Sequence, residues 1–361
     1  MKKLIASLLA LCLVLVSGCG GSAPARQAAG ETVTFTDSAG RAVAVPKEVT
    51  RVAPSGAVAT MFLASVCPEY MVCIASSPSS SQYKYLDEGL LRLPTTGQLY
   101  GSKSTINLES LMNAQPQVII DLGDAKDGIS RDMDALQRQT GIPVVFIEAD
   151  LPHMAEAFRA LGRLLSGKAE RCEALARYVE ETVALAEEGA ARIPEAQRYS
   201  VMYTAGVSGL NTNAAGSTQA QVLELVGAVN AVTVEDVSNR GGGNPINLEQ
   251  LYVYDPDVIV FTTGSMYSAA ADDPAWAQVR AVREGRYYEI PALPYNWMSS
   301  PPSLNMLLGI RWLGNLLWPE VYDYDMVSEA RRAYRLLWAY ELTEEEARAL
   351  LANSTLREAA P

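Results

Sequence analysis

One stretch of nineteen residues occurs twice in this chain. Residues 106–124 read INLESLMNAQPQVIIDLGD and residues 246–264 read INLEQLYVYDPDVIVFTTG, 140 positions apart and identical at eight positions. In each copy an Asn precedes a short helical run, a Pro ends it, and β-branched residues follow as a buried parallel strand. Such a unit is one αβ step of a sheet and cannot bury its apolar face alone. A spacing of 140 in 361 residues therefore calls for two lobes of similar construction.

The flanking segments agree. In the first half a hairpin is expected around Ser38-Ala39-Gly40, then strands at 49–53, 71–75, 118–120 and 144–147 alternating with helical runs. In the second half, strands at 199–203, 231–234, 258–261 and 287–290 do the same. Between them, residues 154–190 are almost unbroken helix formers, with Cys172, Leu175, Val179, Val183 and Ala186 spaced for one apolar face. This predicts a long connecting helix, interrupted near Gly167. A helical connector is stiffer than crossing strands, so hinge closure should be limited. Helices are expected at 303–318 and 326–340, and Thr343 to Glu346 open a last one with a capping-box pattern.

The N-terminus reads as an export signal. Lys2 and Lys3 are followed by thirteen mostly apolar residues, which rise about 20 Å as helix and fall short of a hydrocarbon core of about 30 Å. Val16-Ser17-Gly18-Cys19 resembles the bacterial lipobox, which would make Cys19 the lipidated first residue of the mature chain. The expected organisation is a signal peptide at 1–18, a flexible tether at 19–30, one α/β lobe at 31–152, the connecting helix at 153–192, and a second lobe with terminal helices at 193–361. The chain would be extracytoplasmic and held to the cell membrane through its lipid alone.

Charge and composition remove several functions. With a formal charge of −12, the surface repels phosphate backbones, so no nucleic acid is expected as a partner. His153 is the single histidine, which disfavours a histidine-rich metal site and most two-imidazole catalysis. His153 itself reads as a cap or surface residue, and no catalytic or metal-ligating residue is assigned. Cys67, Cys73 and Cys172 read as buried small apolar residues, with a 67–73 bridge as the alternative. The run Gly241 to Gly243 is not a phosphate loop, since no Lys-Ser/Thr follows.

Taken together, the lipobox, the opening strand TFTDSAGRAVAVP, the segment TTGQLYGSKSTINLESLMNAQPQVII, the helix beginning LGRLLSGKAERCEAL, NPINLEQLYVYDPDVIV and PPSLNMLLGIRWLGNLLWPE resemble substrate-binding proteins of the iron-chelate and cobalamin branch of ABC importers. The resemblance covers nearly all of residues 31–340. It implies an α/β fold of two Rossmann-like lobes joined by one long helix, a ligand cleft between the lobes, and no catalysis or cofactor. The expected ligand is a small-molecule metal chelate, an iron complex such as a siderophore first, with cobalamin, haem and nickel or cobalt chelates as alternatives. A monomer delivering it to an ABC permease dimer with its ATPase is the expected arrangement, and an anchored ligand sensor is the alternative. Members of that family dock one glutamate per lobe on permease arginines, and the matching positions are Glu109 and Glu249. A duplicated acid on two lobes is itself a device for straddling a two-subunit partner.

Ligands of doubly wound sheets sit beyond the carboxyl ends of the strands. The loops there carry Tyr83, Tyr85, Tyr100 and Lys103 in the first half, and Tyr203, Asn211, Arg240, Tyr295, Trp297 and Met298 in the second. Aromatic faces with polar tips suit an organic-wrapped ligand, and Lys103 and Arg240 could meet its acidic groups.

Overall fold

The computed structural model describes residues 31–100, 105–239, 242–299 and 301–355. The first lobe opens with the hairpin β1 (Thr32–Thr36) and β2 (Ala42–Pro46), closed by Gly40 in the left-handed region. It continues through β3 (Val52–Pro54), α1 (Ala57–Val66), α2 (Leu108–Asn113), β4 (Val118–Gly123), α3 (Ile129–Thr140) and β5 (Val144–Glu148). Strands β3, β4 and β5 form a parallel sheet in that order, with Val52 opposite Val118 and Ile120 opposite Val145. The central strand β4 is buried from Val118 to Leu122, as its β-branched run requires.

Two helices follow, α4 (Met154–Leu164) and α5 (Ala169–Arg192). The second lobe holds β6 (Ser200–Ala205), β7 (Asn211–Thr212), α6 (Gln221–Leu225), β8 (Val229–Asn230), β9 (Asn244–Pro245), α7 (Leu248–Tyr254), β10 (Val258–Phe261), α8 (Arg280–Arg283) and β11 (Tyr287–Glu289). Its sheet runs β11-β10-β6-β7-β9, with β8 also on β6. Strands β11, β10, β6 and β8 are parallel, and β7 and β9 are antiparallel. Helices α9 (Met306–Leu317), α10 (Met326–Trp338) and α11 (Glu344–Leu350) complete the described chain. The two copies of the repeat are α2–β4 and α7–β10, each leading into an interior strand of its sheet.

Two expectations are corrected, and the expected break near Gly167 is found. Residues 71–75 do not form a strand: β3 is three residues long and offers Met71 a single bridge at Val52, while Ile74 bridges Thr95. The strand expected at 231–234 pairs earlier, as β8, because the Asn230 side chain bonds the Asn213 carbonyl and the Val232 amide and turns the chain away. The helical stretch from 154 onward is two helices. Gly167, at φ +68°, lies in the break between them, and α4 folds back along α5. Their approach depends on Gly162, where a Cβ would stand 3.0 Å from that of Cys172. At 24 residues, about 36 Å, α5 is the long connector.

One hydrophobic core runs through both lobes by way of α4, α5, α9 and α10, and a smaller cluster lies on the outer side of each sheet. Cys67, Cys73 and Cys172 are buried free thiols. Thr343 and Glu346 form the capping box of α11. Glu346 does more than cap: it also pairs with Lys84 at 2.5 Å. Among the described residues no helix is long and apolar enough to cross a membrane.

Candidate functional site

The carboxyl ends of β3, β4 and β5 lead into the segments around Ser55, Asp124 and Ala149, which converge on a hollow of about 230 Å³. Pro301 and Pro302, from the segment that enters α9, close its far side, so both lobes contribute to it. A second hollow of about 70 Å³ shares Ala57 and Pro301 with the first and continues the cleft toward Ser77 and Tyr295. A larger cavity of about 610 Å³ opens elsewhere, between the C-terminal end of α1, the start of α5 and the end of α10. It lies away from the strand ends where the sheet architecture places a ligand.

The chemistry of the cleft comes from a few side chains. Ser55 donates to the carboxylate of Asp121, a residue only 5% exposed. Burial raises the Asp121 carboxyl above its ordinary range, opposed by the Ser55 hydroxyl and the charge of Lys126. On the rim, Asp124 is raised by loss of water and then by the charge of Asp150. Tyr100 donates to Asp132 at 3.2 Å and carries Lys126 over its ring at 3.9 Å. Among the described residues no side chain caps α1, whose residue before the first turn is Gly56, so its first-turn N–H groups border the hollow as partial positive charge. Although the chain is strongly acidic, this wall combines an ammonium, an open helix N-terminus and two carboxyls biased toward the neutral form.

The residues expected to bind ligand separate by depth. Tyr100 lines the main hollow and Tyr295 the adjoining one, where burial pushes the Tyr295 phenol up to about 12. Tyr83 is exposed, next in sequence to Gln82 of the adjoining hollow, and Asn211 is half-buried in β7. Tyr85 packs edge-on against Tyr334 and Tyr340 and borders the 610 Å³ cavity instead. Tyr203, Trp297 and Met298 are fully buried behind the cleft: Tyr203 hydrogen-bonds Ser299 at 2.8 Å, and Trp297 packs on Tyr334. Lys103, Arg240 and Cys19 lie outside the described residues. The sequence reading passed over Asp121, Asp124 and Lys126. Asp121 lies in the carboxyl half of the strand of the first repeat copy, and Asp124 and Lys126 follow it directly, so the rule that selected the other loops applies equally to this one.

His153 is half-exposed, with Nδ1 2.5 Å from Asp150 and 3.8 Å from Glu148. It is raised by its bond to Asp150. These three are the one group among the described residues whose atoms lie close enough to share a metal ion, and the ion pair already accounts for their approach. Glu109 and Glu249 are exposed in the first turns of α2 and α7, next to the capping residues Asn107 and Asn247.

Two parallel-sheet lobes, a long connecting helix and a polar cleft at the strand ends define a two-lobed solute-binding protein. The chain belongs to the periplasmic binding protein family, whose profile matches residues 57–293. Members of this family are extracytoplasmic binding components and not enzymes. Among solved structures, the chain is similar to an ABC transporter solute binding protein from Sulfurospirillum deleyianum at 26% identity and a TM-score of 0.80, covering 88% of this chain and 99% of that one. A periplasmic solute binding protein from Veillonella parvula shares 23% identity at a TM-score of 0.73, covering 90% and 98%. The molybdate periplasmic binding protein MolA of Haemophilus influenzae shares 18% at 0.67, covering 86% and 99%. No curated protein sequence matches this chain.

Proposed function

We propose that this chain captures a compact metal-containing solute, a small chelate or an oxometalate, and hands it to an ABC permease dimer with its ATPase. The observation that carries this is the cleft. At about 230 Å³ it is smaller than the roughly 300–1,000 Å³ of pockets that enclose drug-sized ligands, which favours a compact solute over a porphyrin or corrin ring. Its wall offers Lys126, Ser55, Gln98, Tyr100 and the α1 N-terminus, groups that pair with oxygen-rich anionic or polar ligands. The molybdate-binding neighbour is consistent with such a ligand, and small iron complexes fall within the same class. Lys103 and Arg240 supply further cations in this reading, Cys19 carries the lipid that keeps the chain at the membrane, and Glu109 and Glu249 dock on permease arginines.

The test is native mass spectrometry of residues 31–361 against molybdate, ferric citrate, a ferric hydroxamate, haem and cobalamin. The expected result is a 1:1 complex with one of the three compact solutes and none with haem or cobalamin. A haem or cobalamin complex overturns the size argument, and silence toward all five overturns the metal-solute reading. Docking is tested separately. Glu109→Arg with Glu249→Arg should abolish stimulation of transporter ATPase in vesicles while solute binding stays intact, and unchanged stimulation removes the docking role.

A further inference from the structure

Nine large apolar side chains are exposed among the described residues, and four of them belong to the two short helices of the repeat. On α7, Leu248 is 38% exposed, Tyr252 40% and Val253 82%, and on α2, Met112 is 40% exposed. The repeat makes Met112 the counterpart of Tyr252. Each stands three residues beyond its acid, Glu109 or Glu249, and side chains three and four apart share a helix face. Val253 stands four beyond Glu249, and its counterpart in the first lobe is Asn113.

Among the described residues nothing covers Val253, and a β-branched residue is a poor helix former. The Tyr252 hydroxyl donates to the Ala275 carbonyl at 3.0 Å, which holds the ring on the surface. Helices α2 and α7 run back to begin β4 and β10, so their first turns point toward the carboxyl ends of the sheets, where the cleft opens. The capping segments make the link directly. Asn107 bonds the Thr96 carbonyl two residues from Gln98 of the cleft wall, and Ile246 bonds Leu210 beside β7.

We propose that Met112 on one lobe, and Leu248, Tyr252 and Val253 on the other, are the apolar anchors of the permease-docking surface. This rests on the docking reading above. The partner it fits is a membrane protein with two like halves, each presenting a basic side chain flanked by an apolar pocket. Exposed ion pairs add little affinity, whereas apolar side chains that lose their water on contact supply much more. The acids then steer and register the complex, and the apolar residues hold it. The second lobe, with three anchors against one, carries the larger share.

The experiment measures affinity of the full chain for the purified permease–ATPase complex in nanodiscs, with molybdate and ferric-chelate binding followed in parallel. Val253→Asp should weaken the complex about tenfold or more, and Met112→Asp about threefold. Val229→Asp, at an exposed valine paired with the amino end of β6, should leave it unchanged. All three variants should bind solute as the parent does. Val253→Asp within twofold of the parent, or Val229→Asp equally damaging, overturns the proposal. Complex lost on Glu109→Arg with Glu249→Arg but kept on Val253→Asp overturns the apolar anchors alone, and complex kept in both overturns the docking reading itself.

Discussion

Asp121 shows what a binding cleft costs a fold. Its carboxyl is buried in β4 with Ser55 as its one hydrogen-bond donor among the described residues, and burial raises its pKa above the unfolded value of about 3.9. A raised carboxyl favours the folded state fully below the unfolded pKa, and that contribution is lost as pH rises through the folded pKa. Asp121→Asn should therefore melt higher than the parent at pH 7, with the difference closing as the pH falls toward 3. Thermal unfolding at several pH values checks this, and a variant that melts lower at pH 7 contradicts it. At this scale the sequence was only partly legible. Trp297 stood out because it lies in a polar-aromatic loop before two prolines, yet its ring is sealed against Tyr334. An aromatic in such a loop reads the same whether it faces a cleft or a core, because the packing partner lies 37 residues away.

Helices α5, α9 and α10 are held together by polar ties inside an apolar interface. Arg311 on α9 is 3% exposed and bonds Thr182 and Glu181 of α5 and Glu329 of α10. Tyr322 is wedged between Gly189 of α5 and Gly314 of α9, its hydroxyl donating to the carbonyls of Ala186 and Val226. Arg311→Met leaves the Glu329 carboxylate only the more distant guanidinium of Arg332, at 3.8 Å, and should cost about 2 kcal/mol, read by urea unfolding. Glu181 is held at about 2, by its bonds to Arg332 first and then by Arg311. Because its folded pKa is depressed, its stabilisation is present above the ordinary value of 4.5 and is lost as pH falls toward 2. Arg332→Met should flatten that acid limb. The effect is small, since Glu181 is half-exposed and screened. Periodicity located each of these helices and the break at Gly167. What it could not show was the fold-back of α4 on α5, because the angle taken at a helix break is set by packing and not by periodicity, and the deciding contact is Gly162 against Cys172.

For the molecule as a whole, the repeat announced two sheets and one connector, and the structure adds a second connection that no local pattern contains. The segment after Ser77 leaves the first lobe and is tied down by Gln82 to the Pro294 carbonyl, by Lys84 to Glu346 of α11, and by Tyr85 against Tyr334 and Tyr340. Arg171 of α5 meanwhile donates to Ser65 at the end of α1 and to the Leu336 carbonyl of α10. Closure about α5 alone would need that helix to bend. Closure with these ties in place also requires breaking aromatic packing and a partly buried set of hydrogen bonds, which behaves as a bistable contact and not as a spring. The lobes should therefore rotate by only a few degrees on binding solute, and selectivity should come from side chains already in place around Asp121, Tyr100 and Lys126. Crystal structures with and without the solute test this. A rotation of tens of degrees that leaves the Tyr85–Tyr334 packing intact would show that the segment after Ser77, the strap between the lobes, moves with one lobe and does not restrain the hinge. If closure is small because of the strap, Lys84→Ala with Tyr85→Ala should widen the range of interlobe distances measured by double electron–electron resonance, without lowering the helical content of the chain.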